Sequence, residues 1–200
     1  MKLFQKPILV LLLFACCTSA RAQLYTFSSY FDRDTIASFH LISTTSKKPD
    51  FKTATKLSCF VFLSPDCPLC KNYSSLINGL KQKYASDLTC YLIVPGNSYS
   101  MNEIKSFSKT YLKNAVLYKD ANLELSHYLR ATVTPEVVLL EMESGKAIYS
   151  GALDNWAVSL GKQRIKATEN YLLDAIESYL HNQPATVVYK EPVGCLINDF

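Results

Sequence analysis

The sequence predicts a single α/β domain built on a central mixed β-sheet with helices on both faces. Three observations point there. Residues 57–63 form an almost unbroken apolar run with β-branched and aromatic members, the pattern of a strand covered on both sides. Directly after it, Tyr73, Leu76, Ile77, Leu80 and Tyr84 recur at spacings of three and four, as on one face of a helix running from Cys67 to about Ala85. A second apolar run, opened by Thr134-Pro135 and reaching Met142, ends at Glu143-Ser144-Gly145-Lys146. That is a hairpin turn into Ala147-Ile148-Tyr149.

The remaining elements follow in chain order. Lys2 and Lys6, the apolar stretch Pro7 to Cys17, and the small-x-small triplet Ala20-Arg21-Ala22 read as an export leader over residues 1–22. This leaves residues 23–200 as one domain with a sizeable core. The expected location is therefore the periplasm or another exported compartment. Leu13-Phe14-Ala15-Cys16 also resembles a lipoprotein signal, and lipidation at Cys16 would anchor the chain to a membrane. Loss of the leader takes Lys2, Lys6 and Arg21 out of a formal net charge of +4, so the basic balance belongs mostly to the leader. The other lysines are scattered and form no basic run, which excludes a nucleic-acid groove.

Beyond the leader, the alternation over Thr35–Ile42 predicts a strand, and the polar residues 43–50 a loop. Leu88–Val94 is the next strand, closed by Pro95-Gly96-Asn97. A short helix is expected over Asn102–Leu112, a brief strand at Val116–Tyr118, and one or two helical turns over Leu123–Leu129. Leu172, Leu173, Ile176, Tyr179 and Leu180 mark a last helix between roughly Arg164 and His181, before a β-prone tail at Ala185–Tyr189.

The chemistry of the chain is concentrated in Cys67-Pro68-Leu69-Cys70, at the junction of the first core strand and its helix. At a helix N-terminus, unpaired backbone N–H groups and the helix dipole favour thiolate over thiol. A second thiol one turn further in can attack a mixed disulfide held on the first. Pro68 suits the first helical position, where its missing N–H costs nothing. The pair therefore predicts thiol–disulfide exchange, with Cys67 attacking and Cys70 resolving. No cofactor is called for, because the sulfurs carry the electrons.

Cys59 and Cys90 fall inside apolar runs and read as core. Cys195 follows Pro192-Val193-Gly194 near the end of the chain and has two readings of equal weight. It is either a buried thiol or a third redox cysteine folding back on Cys67 and Cys70, with Gly194 giving the backbone room to approach. The Asp154-Asn155-Trp156 stretch is likewise either the lining of a substrate groove or a helix cap beside a packed aromatic. His40, His127 and His181 are solitary and read as surface or helix-end residues.

Ser64-Pro65-Asp66-Cys67-Pro68, Thr134-Pro135-Glu136, Tyr149-Ser150-Gly151-Ala152-Leu153-Asp154 and the closing Gly194-Cys195-Leu196-Ile197 together resemble the thioredoxin-like superfamily. Within it, the exported redoxin branch of AhpC/TSA-type, peroxiredoxin-like proteins is the nearer match. The resemblance runs from about Leu57 to Cys195. It implies a thioredoxin-like fold, a cis Pro135 lying against the active-site cysteines, and a Thr134 backbone that hydrogen-bonds a bound substrate chain. It further implies an oxidoreductase whose partners are a protein thiol or disulfide substrate and a second redox protein that resets the site.

The sequence also departs from its relatives. Thioredoxins carry a Trp before the first cysteine and a buried acid six residues before it, where this chain has Asp66 and Val61. Peroxiredoxins place a proline where this chain has Phe60, and only Arg130 and Arg164 are candidates for their catalytic arginine. A thiol peroxidase acting at Cys67 is thus an alternative reading. A Sco-like metal-binding assembly factor is another, although the Cys spacing is one residue short and the loop Thr132–Pro135 has no histidine. Zinc would need Cys195 and a histidine to complete the Cys67/Cys70 pair.

Overall fold

The computed structural model describes residues 30–51 and 55–197. The expected leader, with Cys16, lies outside the described residues. Among those described, no helix is long and apolar enough to cross a membrane.

The strands are β1 (Ile42–Ser43), β2 (Leu57–Phe62), β3 (Leu88–Pro95), β4 (Leu117–Asp120), β5 (Val133–Thr134), β6 (Glu136–Glu141), β7 (Lys146–Gly151), β8 (Ala157–Ser159), β9 (Lys162–Gln163), β10 (Tyr189–Lys190) and β11 (Cys195–Leu196). The helices are α1 (Arg33–Ser38), α2 (Pro68–Lys83), α3 (Met101–Tyr111), α4 (Glu124–Tyr128) and α5 (Tyr171–Leu180). Seven of the strands form one sheet in the order β1-β4-β3-β2-β6-β7-β10. β2, β3 and β4 run parallel, whereas β6 is antiparallel to both β2 and β7, so the sheet is mixed.

Every residue of β2 is buried, as expected of a strand with helices on both sides. Alternation then divides its side chains between two cores. Leu57, Cys59 and Val61 join the buried residues of α2, α3 and α5, while Phe60 and Phe62 join Phe31, Ile36, Leu125 and Leu129 on the opposite face. The sheet thereby holds the start of α2 rigidly at the C-terminal end of β2, where Cys67 lies.

Three expectations need correction. Residues 33–38 are helical and not a strand, because Asp32 Oδ1 accepts from Thr35 N–H at 2.7 Å and caps the turn, and Ile36 is the helix's one buried side chain. Only the end of the expected strand survives, as β1. The last helix starts at Tyr171, after the small β8–β9 hairpin and a stretch of loop, and not near Arg164. The β-prone tail contributes only β10, pairing parallel to the end of β7, and the chain then turns back to form β11.

Candidate functional site

Cys67 is the N-cap of α2 and Pro68 its first helical residue. No side chain caps this helix start, so its free backbone N–H groups and dipole face the Cys67 region. Cys70 is in the first turn of the same helix and fully buried. Burial pushes the Cys70 thiol up to about 11, against a backbone N–H of Ser64 and the hydroxyls of Thr134 and Ser64, all of which favour the thiolate. Ser64 N–H donates to the Cys70 sulfur at 3.4 Å. Cys67, in its disulfide, is buried as well, so the two cysteines differ in place: Cys67 stands at the uncapped helix start and Cys70 inside the first turn.

Facing them is the loop between β5 and β6, with a cis Thr134–Pro135 peptide bond. The Cys67 sulfur lies 3.1 Å from the Thr134 carbonyl oxygen. The Thr134 and Ser64 hydroxyls are 2.9 Å apart, bridging the loop to the end of β2. Glu136 holds this loop from below. Its buried carboxylate accepts from the backbone N–H of Thr132 at 2.8 Å and of Val133 at 3.2 Å. Burial raises the Glu136 carboxyl above its ordinary value, and those donors partly offset the effect.

The third cysteine joins this group. Cys195 is disulfide-bonded to Cys67, across a Cα–Cα distance of 6.1 Å and a sequence separation of 128, leaving Cys70 as a free thiol. Its strand β11 pairs antiparallel with β5, Cys195 opposite Thr134 and Leu196 opposite Val133. Gly194 permits this approach, since a Cβ there would lie 2.6 Å from the Thr134 carbonyl oxygen and 2.8 Å from its carbon. An open cleft of about 250 Å³ remains beside the disulfide, lined among others by Asp66, Tyr99 and Ile197.

On the other side of Pro135 is a second cavity, of about 340 Å³, that reaches Asp154, Arg164 and Val193. Asp154 is buried and accepts from the Tyr73 hydroxyl at 2.5 Å and from Trp156 N–H at 2.8 Å. It therefore ties the loop after β7 to α2, and Trp156 packs edge-on against Tyr73.

The other expected candidates are elsewhere. Cys59 and Cys90 are register partners on β2 and β3. Arg164 donates to the Asn155 carbonyl at 3.0 Å, and Arg130 follows α4; neither lines the cleft beside Cys67. His181 caps the end of α5. Among the described residues no group of three or more His, Cys, Asp or Glu could hold a metal ion. Sequence reasoning missed Glu136 as the support of the loop and Tyr99 as a wall of the cleft. A carboxylate inside an apolar strand, immediately after the proline, was the available signal for Glu136.

A mixed sheet between two helical layers, a helix start bearing Cys67, and an opposing cis-proline loop make this a thioredoxin-like fold. No family model matches the sequence, and no curated protein does. Among solved structures it is similar to an uncharacterized conserved protein from Geobacillus kaustophilus at 20% identity, covering 80% of this chain and 87% of that one with a TM-score of 0.69. It is similar to a hypothetical protein from Sinorhizobium meliloti at 20% identity, covering 74% and 81% with a TM-score of 0.64. A thioredoxin-like protein from Aeropyrum pernix shares 13% identity over 74% of this chain and 91% of that one, with a TM-score of 0.53. Likeness at these identities defines the fold; function has to come from the site.

Proposed function

We propose that this chain is an exported thiol–disulfide oxidoreductase acting on protein substrates, with Cys67 as the exchanging sulfur. One observation carries the reading: Cys67 stands at an uncapped helix N-terminus against the Thr134 carbonyl, already in a disulfide, with the free Cys70 thiol one turn behind it. Export is supported by the leader-like residues 1–22.

The exchange needs no external group. Cys70 thiolate attacks the Cys67 sulfur, the Cys67–Cys70 bond forms, and Cys195 leaves with the electron pair of the broken bond and takes a proton. A substrate thiolate then attacks Cys67, releasing Cys70, and the substrate's second thiolate attacks its own sulfur in that mixed disulfide, releasing Cys67. Two electrons pass from the substrate to the cysteine pair, and the reverse sequence reduces a substrate disulfide. A second dithiol or disulfide protein resets the site. The helix start favours the Cys67 thiolate as leaving group. Burial keeps Cys70 protonated until it is needed.

The test is the reduction potential of the mature protein in glutathione buffers, with thiol alkylation and mass mapping of each cysteine. A reversible two-electron couple that includes Cys67 is expected. No reversible couple, or one confined to Cys59 and Cys90, overturns the reading.

A further inference from the structure

The tail that carries Cys195 makes more than a covalent link. Its main chain pairs antiparallel with Val133–Thr134, and beyond the pair Ile197 N–H donates to the Thr132 carbonyl at 3.0 Å. Its sulfur is bonded to Cys67. Ile197 is 5% exposed and sits in the apolar cluster of one sheet face, whereas Leu196 is 70% exposed and points away from the protein. Every feature of an extended peptide caught in mixed disulfide is present: a main-chain ladder, a cysteine at the reactive sulfur, and alternate side chains in and out.

The attachment is nonetheless slight. β11 is two residues long, Cys195 is only half-buried, and residues 191–194 have no regular structure. Once Cys70 attacks Cys67 and expels Cys195 as a thiolate, the tail is held by that short ladder, by the Thr134 hydroxyl donating to the Cys195 carbonyl at 3.4 Å, and by the Val193 and Ile197 side chains. Such segments belong to the low-stability end of local opening.

We propose that residues 193–197 are an internal stand-in for the substrate, and that the site's partner is an extended protein segment in which a glycine precedes the reactive cysteine and a large aliphatic residue follows two positions after it. The proposal rests on the oxidoreductase reading. Gly194 supplies the specificity: any side chain at that position of a docked strand meets the Thr134 backbone at 2.6–2.8 Å, and backbone cannot yield as a flexible side chain can. The aliphatic requirement comes from the burial of Ile197.

The experiment varies the peptide and leaves the protein constant. The mature chain carrying Cys70→Ser, Cys90→Ser and Cys195→Ser keeps Cys67 as the exchanging thiol and cannot resolve a mixed disulfide. It is offered a glutathionylated peptide copying residues 192–197, or the same peptide with alanine replacing the glycine, and capture at Cys67 is counted by intact mass. The residual tail competes equally with both peptides, so their ratio is unaffected. The glycine peptide is expected to be captured at least about tenfold more readily. Equal capture of the two, with glutathione disulfide still modifying Cys67, overturns the stand-in and leaves the oxidoreductase standing. Failure of Cys67 to form a mixed disulfide with any of the three overturns both.

Discussion

Cys70 gives the sharpest test of the chemistry, because its surroundings set a rate. The thiol is fully enclosed and its proton is held until about pH 11, well above the ordinary cysteine value. At pH 7 only about one molecule in ten thousand carries the Cys70 thiolate. Resolution of a mixed disulfide on Cys67 should therefore accelerate about tenfold per pH unit, or roughly a thousandfold between pH 7 and 10, before levelling off near 11. The measurement uses reduced Cys90→Ser, Cys195→Ser protein mixed rapidly with an aromatic disulfide reagent that releases a coloured thiolate. One equivalent of colour comes from attack by Cys67, and a second, slower one from resolution by Cys70. The slow phase must vanish in the additional Cys70→Ser variant. A slow phase that is flat with pH, or that levels off at the ordinary thiol value, refutes the argument from burial. The same shift has a sign for stability. The unfolded reduced chain gives up the Cys70 proton first, so stability falls as pH rises from the ordinary thiol range towards 11, and is unaffected below it.

Cys67→Ser should abolish exchange with glutathione disulfide at this site while leaving far-ultraviolet dichroism unchanged; exchange persisting at Cys70 alone would reverse the assigned roles. Glu136→Ala strips the acceptor from Thr132 N–H and Val133 N–H and should cost about 1–3 kcal/mol in urea unfolding. Glu136→Gln, which keeps a carbonyl acceptor, should cost less than half of that, and equal losses would show that packing and not hydrogen bonding supports the loop. Tyr73→Phe leaves Asp154 buried with Trp156 N–H as its remaining partner and should cost about 1–2 kcal/mol, read as a lower melting temperature. An unchanged melting temperature counts against Asp154 as the tie between α2 and the loop after β7.

How much of this was legible in the chain depends on how far apart the interacting residues are. The apolar run at 57–63 has the pattern of a buried strand, and the three-and-four spacing after Cys67 that of a helix packed on it. β2 and α2 appear where those patterns predict. Both signals repeat within a few residues, so tertiary contacts had nothing to override. The alternation over 35–42 predicted a strand and was overruled for the opposite reason. With one side chain, Ile36, to bury, the local Asp32 cap decided for a helix.

By itself, then, the sequence determined the α/β class, the order of its central elements, and the placing of Cys67 and Cys70 at a strand–helix junction. Only the tertiary structure decided which sulfur Cys67 is bonded to. That partner is 128 residues away, and the contact exists because Gly194 lets β11 lie against the cis-proline loop. The spacing already assigned the attacking role to Cys67 and the resolving role to Cys70; the fold decided that the Cys70 thiol is fully enclosed and pushed up to about 11. The size of that shift follows from desolvation and hydrogen bonding, and these are properties of the folded surroundings that no spacing of residues along the chain encodes.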